Sequence, residues 1–195
     1  RDAEVPIVGD AKSVIKGLME SLGDTNLDTE GWISELKDMK SKFPLSYKQE
    51  DKGPLKVPYV LEELQKLTKE EAIVVSGVGQ HQMWISQHWN FTEPNTWLNS
   101  GGLGTMGYGL PAAVGVQVAH PNKLVIDIAG EASVLMTMQE MSTAVQYSLP
   151  IKIFILNNEY MGMVRQWQEL LHEKNYSESY TAALPDFVKL AEAYG

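Results

Sequence analysis

Two short apolar segments set the fold that this chain can adopt. Residues 123–130 read KLVIDIAG and residues 151–158 read IKIFILNN, and each is a nearly continuous hydrophobic run of strand length. Such runs are typical of strands that are buried on both faces of a parallel sheet. The segment between them places four apolar side chains on one helical stripe: Val134, Met138, Met141 and Val145. A strand, a crossover helix and a second strand predict a right-handed unit in an α/β fold, a parallel sheet flanked by helices.

The same alternation extends back to residue 57. Residues 57–68 (VPYVLEELQKLT) predict a helix, and residues 72–79 (AIVVSGVG) predict a β-branched strand that ends in glycines. Residues 110–119 (LPAAVGVQVA) predict a helix of small residues, whereas residues 94–100 (PNTWLNS) make a poor buried strand. These patterns predict one α/β domain over residues 56–195.

The first 55 residues differ in character from the rest. Residues 9–22 and 29–43 predict two amphipathic helices. Residues 44–58 (PLSYKQEDKGPLKVP) contain three prolines, one glycine and five charges, which is typical of a connector between domains. The alternative is an ordinary long loop within one domain. We therefore expect residues 1–55 to be an attached piece that leads into the α/β domain.

The composition excludes several kinds of function. The 195 residues carry a net charge of -9 and contain no cysteine. The acidic balance argues against a broad surface for nucleic acid or an anionic membrane, so a phosphate ligand would need backbone amides, polar side chains and a cation. Disulfides, thiolate metal sites and cysteine nucleophiles are excluded. No apolar run approaches the roughly 20 residues that span a bilayer. We expect a cytoplasmic location in a bacterium, with an organelle as the alternative.

A carboxylate and an amide follow the two apolar runs. Glu131 follows LVIDIA with one glycine between them, and Asn158 ends the second run. Because the carboxyl ends of parallel strands meet at one edge of a sheet, we expect these two side chains to lie close together. Their oxygens suit a hard cation such as Mg²⁺. Gly130 and Ala132 leave the turn open to a diphosphate, and Ser133 is expected to cap the following helix or to donate to a phosphate oxygen.

An alternative interpretation of the same residues needs no ligand. A glutamate at the start of a helix is favoured by the helix dipole, and a pair of asparagines often forms the turn that ends a strand. The spacing of Glu131 and Asn158 alone leaves this alternative open.

These motifs resemble those of a known enzyme family. GEAS followed at this distance by NN resembles the signature of thiamine diphosphate enzymes, in which an Asp and the second Asn bind the metal that anchors the cofactor. VSGVGQHQMW, NSGGLGTMGYGLPAAVG, ILNNEYMGMVRQWQELL and PDFVKLAEAYG further resemble the C-terminal, diphosphate-binding domain of acetolactate synthase catalytic subunits. The resemblance runs from about residue 57 to the last residue. It implies that residues 1–55 are the end of a preceding middle domain plus its connector.

The resemblance assigns roles to individual residues. It implies thiamine diphosphate and Mg²⁺ as cofactors, with the metal held by Glu131, Asn158 and the backbone carbonyl of Tyr160. The residues expected to contact the cofactor are Val78, Gly79, Gln80, His81, Gly104, Met106, Gly130, Ala132, Ser133, Met161, Gly162 and Met163. For His81 the alternative is a helix-capping or packed imidazole. Glu131 is one methylene longer than the family's Asp, about 1.5 Å of reach, so we expect it to fold back or to shift the cation.

The chain shows no Ser-His-Asp, Cys-His or paired-carboxylate arrangement. The resemblance accounts for this, because in that family the cofactor carries the chemistry and the protein supplies binding, bending and electrostatics. Met106, in GGLGTMGYG, is expected to wedge beneath the two rings of the cofactor, with core filling as the alternative. Met163 and Trp167 are expected on the substrate side, where Trp167 resembles the family's tryptophan that shapes the preference for the second 2-keto acid. Met163 and Val164 are expected to line the cofactor pocket. Core packing is the alternative for Met163 and Trp167, which share one helical face.

The activity that the resemblance implies is carboligation of two 2-keto acids. Pyruvate is decarboxylated and joined to a second pyruvate or to 2-ketobutyrate, which gives acetolactate or acetohydroxybutyrate for branched-chain amino acid biosynthesis. The family's activating glutamate comes from the N-terminal domain of a partner subunit. We therefore expect a homodimer or tetramer, and we expect this chain alone to be an inactive piece of a longer protein. FAD held mainly outside this chain and a small regulatory subunit are further expectations, and no nucleic-acid or membrane partner is expected.

Three other interpretations stay open. GLGTMG at residues 102–107 fits G-x-G-x-x-G, and Asp127 lies 20 residues later at a predicted strand end, as a dinucleotide-binding fingerprint requires. The poor strand before it argues against this interpretation. The second is a non-catalytic folding and dimerisation module whose glycine loops order only on binding. The third is another thiamine diphosphate-dependent decarboxylase or carboligase.

Overall fold

The computed structural model describes residues 2–69 and 71–195, and the chain divides into two compact units, Arg1–Pro44 and Leu45–Gly195. The first unit holds α1 (Ala11–Leu22) and α2 (Glu30–Lys42), where the two amphipathic patterns predict helices. The carboxylate of Asp10 caps α1 by accepting the backbone N–H of Ser13 at 3.0 Å. Neither helix buries a side chain in this described stretch. The interpretation of residues 1–55 as the end of a preceding domain and a connector stays a prediction.

The second unit alternates helices and strands along the chain. In order, its elements are α3 (Val57–Thr68), β1 (Ile73–Ser76), α4 (Gln80–His88), β2 (Trp97–Asn99), α5 (Gly109–Ala119), β3 (Val125–Ala129), α6 (Glu131–Leu135), α7 (Glu140–Gln146), β4 (Lys152–Ile155), α8 (Gly162–Leu171) and α9 (Phe187–Tyr194). Within the described residues the strands form one parallel sheet in the order β2-β1-β3-β4. The predicted α/β class, a parallel sheet flanked by helices, is confirmed.

The sheet is buried on both faces because alternate residues of each strand point to opposite sides. Val74 and Ile126 face one layer of helices, where Leu61 of α3 and Ile85 of α4 are fully buried. The opposite face is buried by residues of β1, β3 and α5: Ile73, Val75, Val125, Ala113 and Val116. Because β1, β3 and β4 are parallel, the turns that follow them leave the sheet at one common edge.

Three local features differ from the sequence predictions. The crossover segment forms two short helices, α6 and α7, joined by a turn at residues 136–139, instead of one helix. Residues 97–99 form the edge strand β2, with Leu98 opposite Val75 of β1, and the strand is only half-buried. Strand β4 ends at Ile155, so Asn158 lies beyond the strand and not at its last position.

The segment before α3 belongs to the second compact unit. The Tyr47 hydroxyl donates a hydrogen bond to the Glu62 carboxylate of α3 at 2.6 Å, and the side-chain oxygen of Gln49 accepts the Lys56 N–H at 2.9 Å. No helix among residues 2–69 and 71–195 combines the length and the apolar character needed to cross a membrane.

Candidate functional site

A cleft of about 660 Å³ opens at the carboxyl edge of the sheet. Its walls come from three turns that each follow a strand: residues 78–81 after β1, residues 130–133 after β3 and residues 156–164 after β4. Met106 of the glycine-rich loop and the start of α3 also contribute to the lining. Parallel α/β sheets bind their ligands at this edge.

Most of the residues predicted for cofactor and metal lie together in this cleft. They are Val78, Gly79, Gln80, His81, Met106, Gly130, Glu131, Ala132, Ser133, Asn158, Tyr160, Met161, Gly162 and Met163. Gly104 lies outside the lining, in an exposed turn where its backbone φ is 76° and its N–H donates to the Ser100 carbonyl. Trp167 is 54% exposed and lies in a second cleft of about 590 Å³ on α8, which Met163 and Val164 also line.

Glu131 is the first residue of α6, and its side chain is only 1% exposed. Burial raises the pKa of its carboxyl group, while the backbone N–H groups of Glu131 itself, Tyr160 and Asn158 act in the opposite direction. The carboxylate therefore faces the loop that carries Asn158. Glu131, after β3, and Asn158, after β4, both line the cleft at the carboxyl edge of the sheet, as the parallel topology predicts.

Asn158 forms a local turn in the structure. Its side-chain oxygen accepts the N–H of Tyr160 at 3.1 Å, and the oxygen of Asn157 accepts the N–H of Glu159 at 3.0 Å in the same way. The alternative interpretation of the asparagine pair as a strand-ending turn thus describes part of what these side chains do. An amide oxygen has two lone pairs, so the Asn158 oxygen retains one for a ligand.

The residues present fit a divalent cation. The Oε1 atom of Glu131 is buried and has no hydrogen-bond partner within the described part of the chain. A buried carboxyl group of this kind either takes up a proton or pairs with a positive charge. Among residues 2–69 and 71–195 there is no cluster of three or more His, Cys, Asp or Glu side chains. A cation here would consequently depend on Glu131 together with amide and carbonyl oxygens, a donor set that suits Mg²⁺.

His81 packs as a neutral imidazole against glycines. It is 7% exposed, and burial lowers the pKa of its imidazole to about 4. A Cβ atom at Gly77 would lie 3.1 Å from His81 Nε2, and one at Gly79 would lie 3.0 Å from His81 Cε1. His81 is therefore both packed, as the alternative states, and part of the cleft lining.

Gln80 connects two of the three turns. Its side-chain nitrogen donates to the oxygen of Gln166 on α8 at 2.8 Å. The backbone of Gly162 lies against the same side chain, since a Cβ atom at Gly162 would collide with the Gln80 amide oxygen. The turn after β1 and the start of α8 are thereby held together.

Several lining residues were missed by the sequence analysis. Trp84, one turn after Gln80 on α4, and Phe154 of β4 supply apolar wall, as do Val57 and Val60 of α3. In the sequence, these four residues have the pattern of ordinary core residues. Gly77 was also missed. A Cβ atom there would collide with the Ser133 hydroxyl, and a glycine at the end of a predicted strand was the available signal.

Asp127 is not at a strand end, so the dinucleotide-binding interpretation was wrong on this point. It lies in the middle of β3, opposite Val75 of β1 and Ile153 of β4, and is fully buried. Burial raises the pKa of its carboxyl group to about 7, and neither oxygen has a hydrogen-bond partner among the described residues. Such a carboxyl group is in no position to reach a ribose at the sheet edge.

Comparison with known proteins identifies the family of the domain that contains this cleft. Residues 77–195 match the family model described as "Thiamine pyrophosphate enzyme, C-terminal TPP binding domain". The chain is 46% identical over 195 residues to an acetolactate synthase large subunit of Haemophilus influenzae. It is 44% identical over 198 residues to the acetolactate synthase isozyme 3 large subunit of Escherichia coli. It is 47% identical over 196 residues to the mitochondrial acetolactate synthase catalytic subunit of Saccharomyces cerevisiae.

These alignments cover nearly all of this chain but only part of each relative. They span 98%, 99% and 98% of this chain, and 34%, 34% and 28% of the three relatives respectively. The resemblance that the motifs predict is confirmed over essentially the whole chain. The chain spans about a third of the length of the curated relatives it matches.

Proposed function

We propose, because this chain belongs to the thiamine pyrophosphate enzymes through their C-terminal cofactor-binding domain, that its cleft binds thiamine diphosphate together with Mg²⁺. The full-length protein is then a catalytic subunit of acetolactate synthase, which joins pyruvate to a second pyruvate or to 2-ketobutyrate. The similarity to acetolactate synthase subunits over nearly the whole chain supports this choice within the family.

The buried Glu131 carboxylate is the observation that carries the proposal. It is desolvated, lacks a partner for one oxygen, and faces the loop of Asn158 and Tyr160. In our proposal these three residues hold the metal ion, with Tyr160 contributing its backbone carbonyl. The described residues that line the cleft include no Lys or Arg, so a metal ion held by these residues would supply the positive charge that a diphosphate needs.

The polar groups around Glu131 suit the diphosphate itself. The Ser133 hydroxyl already accepts the Gly107 N–H, and its proton stays available for a phosphate oxygen. The Gln80 amide uses one N–H on Gln166 and keeps the other. His81, neutral at physiological pH because of its burial, offers a ring N–H and adds no charge. These groups bind and orient the cofactor.

The apolar part of the cleft suits the rings of the cofactor. When bound, thiamine diphosphate supplies a nucleophilic carbon and takes up the negative charge that decarboxylation leaves. Half-buried Met106 is the side chain proposed to press against the rings, and Met163 and Val164 line the wall on the α8 side. Trp167, more exposed and outside the main cleft, is proposed to act on the second keto acid.

The remaining partners are also proposals. They are a homodimer or tetramer in which a second subunit completes the site, FAD held mainly outside this chain, and a small regulatory subunit. The names "large subunit" and "catalytic subunit" of the relatives support a further subunit in those proteins. The inactivity of this chain alone stays a prediction. So does a location in the bacterial cytoplasm or an organelle.

Calorimetry on the full-length protein tests the proposal. We expect thiamine diphosphate to bind only with a divalent cation, and Glu131→Gln to remove that binding. NAD titrated in the same cell serves as the control ligand and should give no heat. Binding of thiamine diphosphate that is equally tight in excess chelator would contradict the metal role, and product analysis with pyruvate distinguishes acetolactate from the product of another carboligase or decarboxylase.

A further inference from the structure

The loop that faces Glu131 is held from behind by a returning segment of the chain. Residues 175–181 come after α8, and residues 179–181 of this segment run antiparallel to residues 159–161 at an isolated bridge between Tyr160 and Tyr180. The Met161 N–H donates to the Ser179 carbonyl and the Thr181 N–H donates to the Glu159 carbonyl, each at 2.9 Å. Ser179 is 2% exposed. The loop that faces Glu131 is consequently held to residues 179–181 by two backbone hydrogen bonds.

The loop needs this support because part of its backbone is strained. Glu159 has φ 62°, in the left-handed region that non-glycine residues rarely adopt. It lies between Asn158 and Tyr160, the two residues whose backbone N–H groups face the Glu131 carboxylate. Strained backbone persists only where the surrounding structure holds it. A relaxation of Glu159 would rotate the peptide group that carries the Tyr160 N–H away from Glu131.

The aromatic ring of Tyr160 is the side-chain anchor of this loop. It packs against the Tyr180 ring, with the two centroids 5.0 Å apart and the ring planes at 49°. The Arg165 guanidinium lies over the Tyr160 ring, its Cζ 4.1 Å from the centroid. The same guanidinium lies 5.5 Å from the centroid of Tyr176 in the returning segment. Arg165 therefore joins α8, the loop and the returning segment.

Arg165 makes these contacts as a cation on aromatic faces. No salt bridge to it occurs among the residues that the structure describes. A planar guanidinium stacks on rings in a way that a lysine ammonium cannot reproduce. The position thus requires the shape of arginine as well as its charge.

We propose that Arg165 is a positioning residue for the metal site, which it serves by clamping the Tyr160 ring and so fixing the backbone at residues 158–160. This inference rests on the proposed function, since it concerns the cation held by Glu131, Asn158 and the Tyr160 carbonyl. Arg165 itself is not among the described residues that line the cleft. Replacement of the Arg165 side chain should weaken Mg²⁺ binding and leave the sheet intact.

The test uses the full-length protein with Arg165→Met and Arg165→Lys, and with Lys174→Met as the matched control. Lys174→Met removes one positive charge immediately before the returning segment, at a residue that stacks on no described aromatic ring. The measurement is the Mg²⁺ concentration that gives half-maximal binding of thiamine diphosphate, followed by calorimetry. We expect about a tenfold increase for Arg165→Met and roughly a threefold increase for Arg165→Lys, given the strength of a cation on an aromatic face. Lys174→Met should stay within about twofold of the wild type.

A second readout needs no ligand. Hydrogen exchange at the amides of Met161 and Thr181 should become roughly tenfold faster in Arg165→Met. Amides of β1 and β3 should exchange as in the wild type, which separates a displaced loop from an unfolded protein. Unchanged exchange in the loop, or equal effects of Arg165→Met and Lys174→Met on Mg²⁺, overturns the positioning role alone. A wild-type protein that binds no thiamine diphosphate with Mg²⁺ overturns the proposed function and, with it, this inference.

Discussion

The Ser133 hydroxyl oxygen accepts a hydrogen bond from the backbone N–H of Gly107 at 2.9 Å, and both residues are buried. Ser133 lies in the turn after β3, beside Glu131, whereas Gly107 ends the loop that carries Met106. The bond joins the part of the cleft that suits a diphosphate to the part that suits the cofactor rings. Thr137 adds a second link, because its hydroxyl donates to the Gly107 carbonyl at 3.0 Å.

Ser133→Ala should destabilise the folded protein and weaken cofactor binding. The substitution leaves the buried Gly107 N–H without an acceptor, which costs roughly 1–3 kcal/mol in the free energy of unfolding. Thermal denaturation with and without thiamine diphosphate and Mg²⁺ measures both effects. Ser142→Ala, at an exposed position of α7, is the control and should change stability by less than about 0.5 kcal/mol. Equal losses in the two variants would contradict the role of the Ser133 hydroxyl.

Gly107→Ala should be more damaging than the same change at Gly102. Gly107 has φ 81°, and a Cβ atom there would lie 3.0 Å from Met136 Cβ and 3.1 Å from Thr137 Cγ2. Left-handed strain and crowding together should cost about 1–3 kcal/mol. At Gly102 a Cβ atom meets nothing within 4 Å. Chemical denaturation compares the two variants, and a loss at Gly102 as large as at Gly107 would show that the loop geometry is misassigned.

Glu131→Gln should separate stability from function. Burial raises the pKa of Glu131, which means that the ionised carboxylate destabilises the folded protein when no cation is bound. The neutral amide should therefore stabilise the ligand-free protein, by on the order of 1 kcal/mol. The variant should also lose the stabilisation of roughly 2.7 kcal/mol that a ligand at 100 times its Kd provides. Melting curves with and without ligand test both, and a variant still stabilised by Mg²⁺ and thiamine diphosphate rules out Glu131 as a metal ligand.

Asp127 should make stability depend on pH. Burial raises the pKa of its carboxyl group to about 7 in the folded chain, from the ordinary value of 3.8 for an aspartate. Between these values the folded state holds a proton that the unfolded state has released. Stability from this group is therefore full below about pH 4 and falls as the pH rises to about 7, by up to about 1.4 kcal/mol per pH unit.

Asp127→Asn isolates this contribution, because the other titrating groups remain in both proteins. Denaturation at several pH values should give a shallower decline for the variant than for the wild type between about pH 4 and 7. The comparison uses slopes, since the buried amide changes the absolute stability as well. Parallel pH profiles would show that Asp127 ionises as it does in the unfolded chain.

The strands were predictable where hydrophobicity alone defines them. The apolar runs that contain Val74, Ile126 and Phe154 form β1, β3 and β4, because burial on both faces of a parallel sheet demands such runs. Strand β2 was not predictable in this way. Its residues are half-buried at the sheet edge, and the strand exists through pairing with β1.

The crossover helix shows why spacing alone misplaces a boundary. The residues between α6 and α7 form i to i−3 hydrogen bonds, such as Thr137 N–H to the Val134 carbonyl and Glu140 N–H to the Thr137 carbonyl. This tighter winding keeps nearly the same apolar spacing as an α-helix. The turn also carries Met136 and Thr137 against Gly107, a long-range contact that local periodicity does not encode.

The site was predictable to the extent that topology determines it. Parallel strands bring Glu131 and Asn158 to one edge, and the glycines around them mark the approach of a ligand. The packing of His81 among glycines, the Gln80 to Gln166 bond and the Arg165 clamp on Tyr160 depend on contacts across the fold. No spacing in the sequence indicates those contacts.

A crystal structure of the full-length protein with thiamine diphosphate and Mn²⁺ tests the central claim most directly, because Mn²⁺ replaces Mg²⁺ at oxygen ligands and is located by its anomalous scattering. We predict one ion bound by the Glu131 carboxylate, the Asn158 amide oxygen and the Tyr160 carbonyl, with the diphosphate beside Ser133. An ion that Glu131 and Asn158 do not share, or a cofactor bound away from this edge of the sheet, would contradict the proposed site.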